Sequence, residues 1–168
     1  MALQSKLPKG HLGPVQLAVR ASAAAGISVA VAQALALAYP LYAMISAVIV
    51  TDPDPVTTRQ QSWRRFLATL IGAGVGALLS PFLHLRPLLI AVAILITMLL
   101  CHVFRLGASG RVAGYICGIV VLDFSDQPWD YAWHRLLETT LGIAAALLVS
   151  LVPRLYRAHD ETNAGKDT

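Results

Sequence analysis

Apolar residues fill six stretches of this chain, and short polar segments separate them. The stretches are Val15–Ala38, Leu41–Val50, Phe66–Leu83, Pro87–Phe104, Val112–Leu122 and Leu136–Val152. Alanine, leucine and glycine dominate them, without the strict alternation of a β-strand. A straight transmembrane helix needs about 20 residues, so the second and fifth stretches are short for spans. The pattern predicts an all-α protein, a transmembrane bundle of six helices.

The composition of the chain indicates a membrane protein. Hydrophobic residues make up 57% of the sequence and charged residues 13%, and the mean hydropathy is +0.65. Soluble domains are about 45–50% apolar and about 25% charged. With 168 residues, we expect one integral-membrane domain, 1–168, with short polar cytoplasmic tails at both ends.

The lysines and arginines are distributed along the chain as the positive-inside rule expects of a membrane protein. With a cytoplasmic N-terminus, only Arg86 and Arg135 of the 13 lysines and arginines fall outside. The positive-inside rule then predicts an even number of spans and two cytoplasmic termini. Topology also explains the net charge of +4, so we do not expect nucleic acid as a partner. As an alternative, the basic N-terminus and alanine-rich run resemble a signal peptide cleaved near Ala38, which would leave five spans.

A Trp-x-Arg segment occurs twice, seventy positions apart. Residues 62–72 read SWRRFLATLIG, and residues 132–142 read AWHRLLETTLG. Each half of the chain contains three apolar stretches, and an odd number makes the second half enter the membrane from the opposite side. The sequence therefore predicts two inverted three-helix repeats, about 15–84 and 86–155. The segments would form the mouths of helices three and six on opposite faces, with their tryptophans as interfacial anchors.

The repeated arginines are candidates for substrate binding. Glu138 lies three residues after Arg135 and so shares its helix face. Two interpretations fit: a local ion pair that holds helix six, or an anion-binding or proton-linked site, because ionisable groups inside a membrane are costly. Arg65 has no such neighbour. It either pairs with Asp52 or Asp54 or remains available to an anionic ligand.

Other residues are weaker candidates. Asp123 corresponds to Asp52 in the second half and shares its assignment to pairing or proton-linked chemistry. Arg20 lies nearly two turns into the first helix, where it either snorkels to the cytoplasmic surface or faces a substrate pathway. Glycines at helical spacing predict close helix packing. These are Gly72, Gly76, Gly114, Gly118 and Gly142.

Cofactor and enzyme chemistry have little support. Cys101 and Cys117 lie in apolar stretches without a thiol or histidine at metal-ligand spacing, so we expect neither a disulfide nor a metal site. No cofactor is expected. The chain has no glycine-rich phosphate loop, GxSxG or HExxH motif, which argues against an enzyme.

The stretch YPLYAMISAVIVTDPDPVTTRQQSWRRFLATLIGAGVGALL resembles the membrane domain of the fusaric acid resistance and aromatic acid exporter family. That family is similar in turn to the plant aluminium-activated malate transporters. Its pattern Arg-x-x-x-Thr-x-x-Gly-x-x-x-Gly is matched by Arg65, Thr69, Gly72 and Gly76, and in the second half by Arg135, Thr139 and Gly142. The similarity covers roughly Arg20 to Pro153. It implies a six-helix membrane unit that moves organic or aromatic carboxylates, often out of the cell.

On this resemblance we expect a bacterial inner-membrane permease for small organic anions. Arg65, Arg135 and Arg20 would attract the carboxylate, and protonation of Glu138 would tune or release it. Because six short helices give little material to enclose a pathway, we expect a homodimer with its route at or near the interface. Two alternatives stay open: a channel-like conductor, and a membrane scaffold or accessory subunit that transports nothing.

Overall fold

The computed structural model describes residues 12–83, 87–123 and 126–151. Within these ranges the chain forms six α-helices and no β-strand. They are α1 (Leu12–Ala34), α2 (Pro40–Val50), α3 (Pro55–Leu83), α4 (Pro87–Val103), α5 (Ser109–Asp123) and α6 (Pro128–Leu151). The predicted all-α class is confirmed. Arg86 and the two predicted polar tails lie outside the described residues.

Proline residues begin four of the helices, because proline at the first helical position loses no intrahelical hydrogen bond. They are Pro40, Pro55, Pro87 and Pro128. At α3, the Asp54 carboxylate also accepts hydrogen bonds from the amide and the hydroxyl of Thr57, at 2.9 and 2.8 Å. This side chain caps the helix. Helix α3 therefore starts well before the apolar stretch at Phe66 and includes the polar segment ahead of it.

The repeated Trp-x-Arg segments lie inside helices, which corrects the prediction that they form helix mouths on opposite membrane faces. Trp63 lies about two turns into α3, and Trp133 lies more than one turn into α6. Arg65 and Arg135 bond the same tyrosine hydroxyl, so both segments lie at one level of the bundle. The apolar stretches alone place the helix starts too late, because the polar residues before them are helical as well.

Among the residues that the structure describes, three helical segments are long and apolar enough to cross a membrane: Pro14–Ala34, Pro55–Phe82 and Pro128–Leu151. At about 1.5 Å per residue, the 11 residues of α2 extend about 16 Å and the 15 residues of α5 about 22 Å. Both lengths fall short of a hydrocarbon core about 30 Å thick. The chain is a membrane protein with three candidate spans in its described ranges, and its short second and fifth helices pack against longer ones.

Helices α3 and α6 contact each other, and each also packs on a short helix from the other half of the chain. A Cβ added at Gly72 would lie 2.5 Å from the carbonyl oxygen of Ala113, so α3 and α5 touch backbone to backbone. A Cβ added at Gly142 would lie still closer to the carbonyl oxygen of Ala43, so α6 and α2 touch in the same way. Glycine permits this approach because it has no side chain.

The other glycines that the sequence singles out face side chains, and Gly76 also faces the backbone of Cys117, which would lie 3.2 Å from an added Cβ. An added Cβ at Gly76 would lie 2.9 Å from the Cβ of Val120, and one at Gly114 would lie 3.2 Å from the Cγ of Met98. At Gly118 the nearest atom, from Ile94, is 3.5 Å away, which is ordinary contact. Small residues thus line several helix contacts, and the closest approaches are at Gly72 and Gly142.

Candidate anion site

Two arginines are buried in the bundle and converge on one tyrosine hydroxyl. Arg65 of α3 is 1% exposed and Arg135 of α6 is 0% exposed. Each donates a hydrogen bond from Nη2 to the hydroxyl oxygen of Tyr115 on α5, at 3.1 and 3.4 Å. The structure therefore brings together the two arginines that the sequence singles out, from segments seventy positions apart.

The helix contacts explain this convergence. Gly72 lies about two turns after Arg65 on α3, and Ala113, which it touches, precedes Tyr115 by two residues on α5. The backbone contact between α3 and α5 therefore holds the Tyr115 side chain within reach of α3. Packing of α6 on α3 brings Arg135 to the same hydroxyl. Three helices thus supply one residue each.

The Arg135 guanidinium also stacks on an aromatic ring. Its central carbon lies 3.4 Å from the centroid of the Tyr42 ring, a cation–π contact worth about 0.5–2 kcal/mol. Tyr42 in turn packs against Tyr39 and Tyr131, with ring centroids 5.9 and 6.3 Å away. These aromatic contacts fix the orientation of the Arg135 side chain from the α2 side.

Much of the donor capacity of both arginines is unused. Within the described part of the chain, Nε and Nη1 of Arg65 and of Arg135 have no hydrogen-bond partner. The two Nη2 atoms are at most about 6.5 Å apart, and at an effective dielectric constant of about 20 such charges repel by roughly 2–3 kcal/mol. Buried, unpaired charges are costly. A bound anion would offset both costs, because its oxygens accept guanidinium donors.

Buried hydroxyl groups extend this polar region along α3 and α6. The hydroxyls of Ser62, Thr69 and Thr139 have no hydrogen-bond partner among the residues that the structure describes. Ser62, Arg65 and Thr69 follow one another at intervals of three and four residues, so they share one face of α3. Thr139 follows Arg135 by four residues on α6. The seam between these helices is therefore polar as well as cationic.

Glu138 is buried but does not pair with Arg135, which corrects the ion-pair interpretation of their spacing. Between the two described side chains, no nitrogen and oxygen come within 4 Å. Instead, Oε1 of Glu138 accepts a hydrogen bond from the backbone N–H of Tyr39 at 2.6 Å. Tyr39 immediately precedes α2 and provides no side-chain cap. The free amides and positive dipole end of α2 attract the carboxylate, so Glu138 caps this helix from α6.

We expect Glu138→Ala to lower the free energy of unfolding by about 1–3 kcal/mol, because the Tyr39 amide loses its acceptor. Glu138→Gln should retain most of the stability, since an amide oxygen can accept the same hydrogen bond. The thermal unfolding midpoint in detergent measures both effects. Equal stability of the alanine variant and the wild type would show that the carboxylate does not cap α2.

Arg20 does not join the site. Its Nη1 donates a hydrogen bond to the carbonyl oxygen of Pro53 at 3.0 Å, and the residue is 8% exposed. Pro53 follows α2, whereas Tyr42, on which Arg135 stacks, lies in the first turn of α2. Arg20 therefore lies at the other end of α2 from the two converging arginines, where it fastens α1 to the α2–α3 turn.

The acidic candidates also lie away from the arginines. Oδ1 of Asp52 accepts a hydrogen bond from the backbone N–H of Asp54, at 2.9 Å, within the α2–α3 turn. Asp123 is exposed and is the last residue of α5. The predicted pairing of Arg65 with Asp52 is thus not formed among the described residues, because the turn uses the aspartate to order its own backbone.

Sequence reasoning missed the tyrosines of the site. Tyr115 lies in a short helix and is not part of the repeated Trp-x-Arg segments, and Tyr42 belongs to an aromatic stretch without a charged residue. One signal was available for Tyr115: it lies beside Gly114, at a position where helices approach closely. Its contact with two arginines depends on the packing of three helices and is not encoded locally.

Most of this chain is similar in sequence to known proteins. Residues 27–149 match a family model described as fusaric acid resistance protein-like. The UPF0421 protein BH2644 of Halalkalibacterium halodurans is 26% identical over 130 residues, which cover 76% of this chain and 37% of that protein. The UPF0421 protein SH1063 of Staphylococcus haemolyticus is 27% identical over 123 residues, which cover 70% of this chain and 37% of that protein.

The chain thus spans little more than a third of the length of the curated relatives that it matches. No solved structure matches it significantly.

Proposed function

This chain belongs to the fusaric acid resistance protein-like family, and we propose that it moves small organic or aromatic carboxylates across a bacterial inner membrane, as a permease or exporter. One observation carries the proposal. The guanidinium groups of Arg65 and Arg135 are buried, lie close together and keep unpartnered donors, with no carboxylate within 4 Å among the described residues. Such a pair of planar donor groups suits a carboxylate, which has two acceptor oxygens.

The polar seam between α3 and α6 is the proposed route of the anion. Ser62 and Thr69 lie on either side of Arg65 along α3, so they offer hydroxyl groups to an anion that approaches or leaves the arginines. Groups of this kind replace part of the water that a carboxylate loses on entering a membrane protein.

Glu138 is the proposed proton-linked residue. Its Oε1 caps α2, whereas its buried Oε2 has no hydrogen-bond partner within the described ranges. It lies one turn after Arg135 on α6, so its protonation would strengthen the positive field at the anion site and its ionisation would weaken that field. This arrangement supports proton-linked transport as the proposed mechanism, and a channel-like conductor is the competing one.

Two inverted three-helix repeats remain the proposed architecture. The two backbone contacts support it, because Gly72 and Gly142 differ by seventy positions and their partners, Ala113 and Ala43, differ by the same number. Under this architecture the two halves enter the bilayer from opposite sides, and the short helices α2 and α5 are equivalent. Both termini are then cytoplasmic, as the distribution of basic residues favours.

A homodimer in the lipid bilayer is the proposed assembly. Tyr115 is 40% exposed, so the anion site lies close to the surface of a single chain. A second copy against this face would enclose a route that one chain of six helices leaves open to lipid. Lipid alone is a poor surrounding for a carboxylate, because it cannot replace the hydration of a charge.

The test of this function is uptake by proteoliposomes that contain only this protein. Labelled 4-hydroxybenzoate, malate and chloride should be compared, with and without an imposed pH gradient. We expect carboxylate uptake above that of protein-free vesicles, and stimulation by the gradient if Glu138 couples protons. Carboxylate flux of the same rate with and without the pH gradient would favour a channel. Absence of flux for every solute would contradict the proposal and favour a scaffold or accessory role.

A further inference from the structure

Tyr115 lies where an anion would have to bind, and this inference rests on the proposed function. Its hydroxyl oxygen accepts one hydrogen bond from Arg65 and one from Arg135, at 3.1 and 3.4 Å. An anion oxygen in the place of this hydroxyl oxygen would accept a hydrogen bond from each guanidinium group. An anion that binds both Nη2 atoms therefore competes directly with this hydroxyl.

The hydroxyl is a poor substitute for an anion. A neutral phenol oxygen offers two lone pairs and no charge, whereas a carboxylate offers two oxygens and a full negative charge. The remaining nitrogens of the guanidinium groups, Nε and Nη1, have no partner in the described part of the chain. The hydroxyl therefore links the two arginines but does not neutralise their charge. An anion that displaces it gains the electrostatic attraction of both guanidinium groups.

Exposure distinguishes Tyr115 from the arginines that it bonds. Arg65 and Arg135 are 1% and 0% exposed, whereas Tyr115 is 40% exposed. The tyrosine is therefore the member of this cluster that reaches the surface of the chain. A change of side-chain rotamer would withdraw the hydroxyl from both arginines without a change in the backbone.

We propose that Tyr115 is a removable stopper of the anion site: its hydroxyl occupies the anion position in the empty protein, and an incoming carboxylate displaces it. The tyrosine lowers the apparent affinity for the anion, because the anion must displace its hydroxyl. It also limits leakage of anions through the empty protein, because its hydroxyl occupies the Nη2 atoms of both arginines. Carboxylates gain more than chloride, since two oxygens can reach donors on both guanidinium groups.

Tyr115→Phe tests this role because it removes only the hydroxyl. Binding of 4-hydroxybenzoate to the purified protein in detergent, measured by isothermal titration calorimetry, should become at least fivefold tighter, and the basal flux in proteoliposomes should rise. Thr140→Val is the matched control, since Thr140 is exposed on α6 and its hydroxyl donates a hydrogen bond to the Leu136 carbonyl oxygen of its own helix, at 2.8 Å. Its affinity should equal that of the wild type.

Different outcomes separate this inference from the proposed function. If the wild type binds the carboxylate and Tyr115→Phe binds it equally or more weakly, the hydroxyl is a spectator or a ligand, and the stopper is overturned while the anion site stands. If neither protein binds or transports any anion, the proposed function fails and the stopper with it. Should the phenylalanine variant not fold, Tyr115→Leu removes the same hydroxyl and carries the same expectation.

Discussion

Arg135→Gln should reduce carboxylate flux by about one to two orders of magnitude while the protein remains folded. Glutamine keeps a hydrogen-bond donor but removes the charge, one of the two that the site offers to an anion. Hydrogen bonds to charged groups contribute about 1.5–3 kcal/mol each, and about 2.7 kcal/mol corresponds to a hundredfold change in binding. Arg65→Gln should have a similar effect, because Arg65 donates a hydrogen bond to the same hydroxyl oxygen.

The stability of these variants distinguishes a binding site from a structural one. Two buried cations without a counter-ion repel each other, so removing one should leave the thermal midpoint unchanged or raise it. A structural arginine would behave in the opposite way, because its loss would leave partners unpaired. Arg135→Lys should transport at an intermediate rate, since lysine keeps the charge but loses the planar fork of donors.

Arg59→Gln is the control for this experiment. Arg59 lies on the same helix as Arg65 but is exposed, so its replacement removes an equal charge without touching the converging pair. Flux should be measured with labelled 4-hydroxybenzoate in proteoliposomes, with the amount of reconstituted protein determined for every variant. Wild-type flux in Arg135→Gln, or a loss that follows only from unfolding, would remove the anion-site assignment.

Gly142→Ala should prevent folding or lower the free energy of unfolding by about 3 kcal/mol or more, the upper range for overpacking. The added methyl group would meet the carbonyl oxygen and the carbonyl carbon of Ala43, which belong to the backbone of α2 and cannot turn aside as a side chain does. Gly72→Ala should behave in the same way, because its methyl group would meet the backbone of Ala113.

Gly74 provides a matched control in the same helix as Gly72. A Cβ added there meets no atom within 4 Å in the described part of the chain. Gly74→Ala should therefore be neutral or stabilise the protein by up to about 1 kcal/mol, since alanine favours helix more than glycine does. Thermal unfolding and size-exclusion profiles in detergent compare the three variants. Similar midpoints for all three would contradict the backbone contacts between α3 and α5 and between α6 and α2.

The sequence predicted where most of the helices lie, but it did not predict all of their first residues. The apolar stretch Leu41–Val50 matches α2 within one residue, and Pro87–Phe104 matches α4 equally well. In contrast, α3 begins at Pro55 rather than at Phe66, because proline and the Asp54 cap start a helix among polar residues. Hydrophobicity marks where a helix meets lipid, whereas capping decides where it begins.

The sequence predicted the two arginines of the candidate site but not the contact that Glu138 makes. Two arginines repeated in similar apolar surroundings indicated a binding site, because charge inside a membrane protein is costly. The spacing of Arg135 and Glu138 on one helix face also suggested a pair, but spacing sets only which residues are neighbours along a helix. It does not show that the amide ahead of α2 lies close enough to capture the Glu138 carboxylate.

By itself, the sequence determined that this protein is all-α, belongs in a membrane and carries two related arginines on its third and sixth helices. These properties follow from composition and helical periodicity, which act within one segment at a time. Only the tertiary structure decided that Arg65 and Arg135 meet at Tyr115, and that Glu138 serves α2. Those contacts depend on how closely glycine lets separate helices approach, a property of pairs of segments distant in the sequence.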